Sequence, residues 1–305
     1  MMIFPEKLNK GDTIAIIAPS SPVTKEEADN CRKLVEDMGY KVKMGKCTYR
    51  SIHGYSAGTG EERAEEINQM FADSEVKAIW CIRGGDTSSH TMDKIDFDII
   101  SKNQKIFVGY SDITNFNVNF NQKCEMVTFH GPMVKSNMLN DYDDFTKSSF
   151  ESALNMGNEL VLENPSGEEF KVMVEGHAEA IIVGGNLALL TSMIGTPYEV
   201  DTKGKILFIE EVGETLSRVD RMMYQLKYAG KLEDAVGIIF GDFTECVNEV
   251  DESYKTEDLL KDVLNNYNKP VMYNIKSGHC SPMSTIPLGT RCIMDTNTKT
   301  IKFTR

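Results

Sequence analysis

Lys105-Ile-Phe-Val-Gly-Tyr-Ser-Asp-Ile-Thr114 is the stretch from which the fold can be read. Ile106, Phe107 and Val108 make a short β-favouring run, Gly109 breaks it, and Phe116 and Phe120 follow at the i, i+4 spacing of a helix face. Ser111 therefore stands where a strand stops and a helix begins. A serine there holds its hydroxyl above the sheet edge, close to backbone N–H groups of the following turn that can bind an oxyanion. The same position also suits a helix N-cap, so residues elsewhere must decide between the two.

Outward from this junction, strands and helices alternate. Apolar runs at Thr13 to Ala18, Tyr40 to Met44 and Val76 to Ile82 predict strands. Between them, Thr24 with Glu27 and Thr59 with Glu62 predict two helices opened by capping boxes. Such alternation predicts an α/β protein with a mostly parallel, doubly wound sheet. The chain turns polar between about Leu139 and Glu175, so we expect an N-terminal α/β domain over 1–150 and a linker over 151–178. The second half is more mixed, and a C-terminal domain is expected over 179–305, ending in a hairpin of Arg291 to Asp295 with Thr300 to Thr304.

Composition removes several classes of function. The net charge of −13 and the absence of a basic stripe argue against nucleic acid as a partner. No apolar run reaches the roughly 20 residues that span a bilayer, and the first residues lack the pattern of a secretory signal. Seven cysteines without CxxC spacing read as reduced thiols, which with the missing signal predicts a cytoplasmic protein. Neither an HExxH motif nor a zinc-type cysteine spacing is present, His279 beside Cys280 is the one hint of metal or thiol chemistry, and no cofactor is expected.

In open α/β sheets ligands bind beyond the carboxyl ends of strands. Three such ends carry chemistry here: Arg83-Gly-Gly-Asp-Thr-Ser-Ser-His90, Ser111 itself, and Glu210-Glu-Val-Gly-Glu214. Gly84 and Gly85 leave their N–H groups open to an oxyanion or a phosphate, or form a plain tight turn. A serine hydroxyl needs a base, normally a histidine oriented by a carboxylate. Of His53, His90, His130, His177 and His279, the last is best placed, in a turn-rich loop after the strand Val271 to Ile275. Ser111, Glu210 and His279 then run nucleophile, acid, base along the chain, without the second glycine of G-x-S-x-G.

Six segments together carry a resemblance: Arg83-Gly-Gly-Asp86, Gly109-Tyr-Ser-Asp-Ile-Thr114, Thr128-Phe-His-Gly-Pro-Met133, Gly184-Gly-Asn-Leu187 with Gly195-Thr-Pro-Tyr198, Phe208-Ile-Glu-Glu211, and Gly278-His279. In this order and over nearly the whole chain, they resemble the LD-carboxypeptidase family of serine peptidases, which includes the microcin C immunity peptidases. The resemblance implies Ser111 as nucleophile, His279 as base and Glu210 as orienting acid, with Glu211 as the neighbouring alternative. It also implies a flavodoxin-like N-terminal domain, a smaller β-rich C-terminal domain, an oxyanion hole from the N–H groups of Gly85 and Asp112, no metal, and a homodimer. Arg83, with Gly84 beside it, is the expected substrate-binding element, its guanidinium suited to a terminal carboxylate.

The activity so implied is hydrolysis of the amide between an L-centre and a C-terminal D-amino acid, as in trimming a murein tetrapeptide to a tripeptide plus D-alanine. Two alternatives remain open on sequence: a microcin C-type immunity peptidase cleaving a peptidyl-nucleotide amide, and a non-catalytic small-ligand binding protein on the same scaffold.

Overall fold

A computed structural model describes residues 2–305. The first half alternates β1 (Thr13–Ile17), α1 (Lys25–Asp37), β2 (Lys41–Met44), α2 (Gly60–Ala72), β3 (Val76–Cys81), α3 (Phe97–Lys102), β4 (Ile106–Val108), α4 (Thr114–Cys124) and β5 (Thr128–His130), then α5 (Asp144–Leu154). Both expected capping boxes are present, Thr24 with Glu27 and Thr59 with Glu62, each giving two of a helix's orphan N–H groups a partner.

The second half runs β6 (Glu159–Val161), β7 (Lys171–Val174), β8 (His177–Asn186), α6 (Leu187–Ser192), β9 (Ile206–Val212), α7 (Leu216–Tyr228), α8 (Lys231–Asp234), β10 (Gly237–Thr244) and α9 (Thr256–Val263). It closes with β11 (Val271–Tyr273), β12 (Ile286–Leu288), β13 (Arg291–Asp295) and β14 (Thr300–Thr304). The last two pair antiparallel, as the hairpin reading expects.

Two sheets organise the chain. The first has six strands in the order β12-β5-β4-β3-β1-β2, parallel except at β12, which pairs antiparallel with β5. Alternate residues of β1 serve its two faces. Ile14 and Ile16 pack with Ala28, Cys31 and Val35 of α1, whereas Ala15 and Ile17 pack with Ala64, Ile67 and Phe71 of α2. Helices on both faces make this the doubly wound α/β sheet that the alternation predicts.

The second sheet is mixed and has eight strands, β6-β14-β13-β8-β9-β10-β11-β7. Its centre, β8-β9-β10, is parallel. On one face Leu207 and Ile209 of β9 join Val219, Met223 and Leu226 of α7; on the other, Phe208 joins Met294, Ile301 and Phe303 of the hairpin. The span 151–178, expected as linker, carries the end of α5 and the strands β6 and β7, which form the two outer edges of this sheet. The halves are also joined directly: the Asn186 N–H donates to the Thr114 hydroxyl at 3.0 Å, and β12 from the C-terminal region completes the first sheet. Among the described residues no helix is long and apolar enough to cross a membrane.

Candidate active site

Ser111 lies just past β4, at the start of a single 3-10 turn that leads into α4. Its φ is +64°, a left-handed conformation that costs a non-glycine residue about 1–2 kcal/mol and gathers at functional turns. The N-cap alternative is not realised. Ile113 occupies the cap position of α4, and no hydrogen bond engages the Ser111 hydroxyl among the described residues. The turn is fixed from behind, because Asn117 Nδ2 donates to the Gly109 carbonyl at 2.9 Å and the Ile113 N–H reaches the Tyr110 carbonyl at 3.2 Å.

The loop after β3 presses against this turn. A Cβ on Gly84 would lie 2.9 Å from both Cβ and Oγ of Ser111 and 3.4 Å from the Asp112 nitrogen, so the glycine backbone itself touches the serine. Gly85 packs instead on the loop after β1, where an added Cβ would meet Ser21 Oγ at 2.0 Å and Ser20 Oγ at 2.6 Å. Arg83 is half-buried, and its Nη1 donates to the Pro22 carbonyl at 3.5 Å. It has no carboxylate partner among the described residues.

From the second sheet comes an imidazole–carboxylate pair. Glu210, fully buried near the end of β9, places Oε2 2.7 Å from Nδ1 of His279. Burial opposes charge on this imidazole, but the Glu210 charge and hydrogen bond outweigh it, with Glu211 and Asp242 adding in the same sense. The pKa of His279 is therefore raised above its ordinary value. The loop that carries His279 is tightly held: the Asp242 N–H donates to the Ser277 carbonyl at 2.9 Å, and the Ser277 hydroxyl to the Ser284 carbonyl at 2.8 Å. Gly278 is required here, since its φ is +124° and a Cβ would strike Glu210 Oε2 at 2.5 Å.

Tyr110 bridges the two halves of the site. Its ring stands edge-on to that of His279 at 4.8 Å, one residue before Ser111. Behind it lies His130, fully buried between Tyr110 at 5.5 Å and Phe208 at 5.1 Å. Burial pushes the pKa of His130 down to about 4, so it stays neutral, and neither ring nitrogen has a hydrogen-bond partner among the described residues. The remaining histidines are peripheral. His53 and His90 are exposed, and His177 faces Asp295 at 4.0 Å.

Glu211 turns the other way. Its carboxylate accepts Asn186 Nδ2 at 2.9 Å, the Val212 N–H at 2.8 Å and the Ala188 N–H at 2.8 Å, and so serves the first turn of α6. Of the two adjacent acids, only Glu210 reaches the imidazole. Sequence reading quoted Tyr110 and Gly278 without giving either a role, and it missed the buried hydroxyls around Asp112. Tyr110 and Gly278 were within reach, each standing beside a singled-out residue, whereas the hydroxyl contacts are long-range.

Both halves of the chain match known domains. Residues 14–131 match the LD-carboxypeptidase N-terminal domain and residues 179–294 the LD-carboxypeptidase C-terminal domain. A probable murein peptide carboxypeptidase of Bacillus subtilis is 42% identical over 298 residues, covering 97% of this chain and 92% of that protein. The chain belongs to the LD-carboxypeptidase family. It is thus a hydrolase of the serine carboxypeptidase type.

Two solved members of similar architecture extend the comparison. The microcin C7 self immunity protein MccF in complex with aspartyl sulfamoyl adenosine superposes with a TM-score of 0.91 at 26% identity, over 99% of this chain and 98% of that one. A muramoyltetrapeptide carboxypeptidase from Oxalobacter formigenes gives a TM-score of 0.83 at 28% identity, over 95% and 97%.

Proposed function

We propose that this LD-carboxypeptidase hydrolyses the amide between an L-configured centre and a C-terminal D-amino acid, converting a murein tetrapeptide to the tripeptide and D-alanine. The observation that carries the reading is the His279–Glu210 contact at 2.7 Å, its imidazole packed against Tyr110, the residue before Ser111. The relative at 42% identity, a probable murein peptide carboxypeptidase, supports the substrate class.

In this mechanism an ionised Glu210 can only accept a hydrogen bond, so Nδ1 of His279 carries the proton and Nε2 is left as the base. Nε2 takes the Ser111 proton as the hydroxyl attacks the scissile carbonyl, and the N–H groups of Gly85 and Asp112 receive the developing oxyanion. The imidazolium then protonates the departing amine of D-alanine. Water, deprotonated by the same imidazole, resolves the acyl-enzyme and regenerates Ser111. Arg83 and Gly84 line the substrate side, the guanidinium reading the terminal carboxylate. We place the reaction in a reducing, cytoplasmic setting, which fits seven free cysteines, and in a homodimer, to be checked by light scattering.

The second reading, cleavage of a microcin-type conjugate, is favoured by the TM-score of 0.91 to MccF. One experiment separates the readings: mass spectrometry after incubation with murein tri-, tetra- and pentapeptides and with an aminoacyl sulfamoyl adenosine. Loss of D-alanine from the tetrapeptide, abolished in Ser111→Ala, supports the first. Cleavage of the nucleotide conjugate alone supports the second, and an untouched panel with no serine labelling leaves a binding protein.

A further inference from the structure

The side chain of Asp112 lies 1% exposed, behind the proposed oxyanion hole and out of reach of substrate. Its Oδ2 accepts the Ser20 hydroxyl and, at 2.8 Å, the Ser88 N–H; its Oδ1 accepts the Ser88 hydroxyl at 2.7 Å. That hydroxyl in turn accepts from Asn115 Nδ2 at 2.9 Å, and Ser20 Oγ accepts the Thr87 N–H at 3.3 Å. One carboxylate thus gathers three strand ends: the loop after β1, the loop after β3 and the turn that presents Ser111.

A buried cation completes the assembly. Arg63 of α2 is fully buried, and its Nη1 donates to the carbonyls of Pro19 at 2.6 Å and Thr87 at 3.0 Å, while Nε donates to that of Gly58 at 3.2 Å. The guanidinium therefore grips from behind the same two loops that the carboxylate grips from the front, and the two charges act on each other. Gly85 is seated on these loops, against Ser20 and Ser21, and the Ser21 N–H reaches the Gly84 carbonyl at 3.3 Å.

We propose that the Asp112 carboxylate, backed by Arg63, is a positioning device that fixes the spacing of the two oxyanion donors, the N–H groups of Gly85 and of Asp112 itself. The proposal rests on the peptidase reading above. Oxyanion donors work only when held at hydrogen-bond distance from the developing charge, and charge-assisted bonds from a carboxylate are stiffer than neutral ones. The site also needs a carboxylate and not its amide. With an amide nitrogen at the Oδ2 position, two N–H groups would face each other across the Ser88 contact. With it at Oδ1, the Ser88 hydroxyl would accept from both amides and lose the acceptor of its own proton.

The test uses the full chain with Asp112→Asn and, as the milder variant, Ser88→Ala. Three quantities are measured: the second-order rate of Ser111 phosphonylation by a fluorophosphonate, kcat and KM on murein tetrapeptide, and the melting temperature. A misplaced donor costs roughly 10- to 100-fold, so kcat and the phosphonylation rate of Asp112→Asn should fall together by about that factor while KM stays within about threefold. Ser88→Ala should show the same split at roughly 3- to 10-fold, having lost one bond of the three.

A melting temperature that drops while kcat and phosphonylation keep wild-type rates would overturn the positioning role and leave Asp112 a loop staple. If Asp112→Asn does not fold, Ser88→Ala decides by the same criterion. Wild-type enzyme that resists phosphonylation at Ser111 would instead overturn the serine-peptidase reading, and the positioning role with it.

Discussion

Nδ1 of His279 and Oε2 of Glu210 lie 2.7 Å apart, with the carboxylate fully buried and the imidazole 17% exposed. The contact ties the protonation of the proposed base to a charge that water hardly screens. Because the pKa of His279 is raised above 6.5, the imidazole is cationic, and useless as a base, at pH values below that raised point. The acid limb of kcat/KM should therefore have its midpoint above 6.5. Glu210→Gln keeps an acceptor for Nδ1 but removes the largest charge that opposes burial, so the limb should move to lower pH. Turnover should fall roughly 10²- to 10⁴-fold in this variant. A pH–rate profile of the two proteins reads both effects, and an unmoved limb would refute the assignment.

Gly84→Ala tests the close approach of the β3 loop to Ser111, the proposed nucleophile. The new methyl would sit 2.9 Å from Cβ and Oγ of Ser111, so the serine or the loop must shift by several tenths of an ångström. Overpacking of this kind costs about 1–3 kcal/mol, and a displaced nucleophile loses on the order of 10² in rate. We expect a large drop in kcat with an intact circular dichroism spectrum. Near-normal kcat would mean that the site tolerates motion at Ser111.

Glu210 and Glu211 should separate cleanly by phenotype. Glu211→Ala strips acceptors from Asn186 Nδ2 and from the N–H groups of Ala188 and Val212, and leaving such donors buried costs about 1–3 kcal/mol each before relaxation. Urea denaturation should show a loss of at least about 2 kcal/mol in Glu211→Ala. Glu210→Gln should lose turnover with a smaller change in midpoint. The reverse pattern would exchange their roles.

These two acids also show where the sequence stops being informative. Alternation along β9 says that neighbours face opposite ways but not which face meets which layer. Only the packed sheet reveals that Phe208 lies on the side of the hairpin and the imidazole, while Leu207 and Ile209 lie toward α7. Capping boxes, the Ser111 junction and the terminal hairpin were legible because their signals are local. The strands β6 and β7 were not. They are three and four residues long, without a buried position in either, and edge strands of that kind read as polar loop. The strand β12 carries Pro287, which argues against a central strand and fits the sheet edge it occupies, yet its pairing with β5 spans more than half the chain.

Glu66 offers a test in stability away from the site. It is buried in α2, its Oε2 accepting the Cys47 N–H at 2.9 Å, and burial pushes the carboxyl up to about 7 from an ordinary 4.5. With the folded pKa above the unfolded one, its favourable contribution is complete below 4.5 and is lost as pH rises through 7. Glu66→Gln retains an acceptor for Cys47 and removes the charge. Relative to wild type it should gain about 2–3 kcal/mol between about pH 5 and about pH 8 in urea unfolding. An unfolding difference that does not vary with pH would show that the carboxylate is solvated after all.

Arg83→Ala addresses what makes the enzyme a carboxypeptidase. The guanidinium is half-buried beside Gly84, has one long bond to the Pro22 carbonyl and lacks a carboxylate partner among the described residues, so the structural ion pair that would otherwise explain it is missing. A planar fork left open next to the nucleophile's loop can take the terminal carboxylate of a peptide through two parallel N–H bonds. Bonds to a charged group contribute about 1.5–3 kcal/mol, or roughly 10- to 100-fold in binding. KM for peptide acids should therefore rise by about that factor in Arg83→Ala, whereas peptides amidated at the C-terminus, already poor substrates of the wild type, should be unaffected. An equal loss on acids and amides would place the arginine in loop structure instead, and the recognition of the terminal carboxylate would have to come from another cation at the rim.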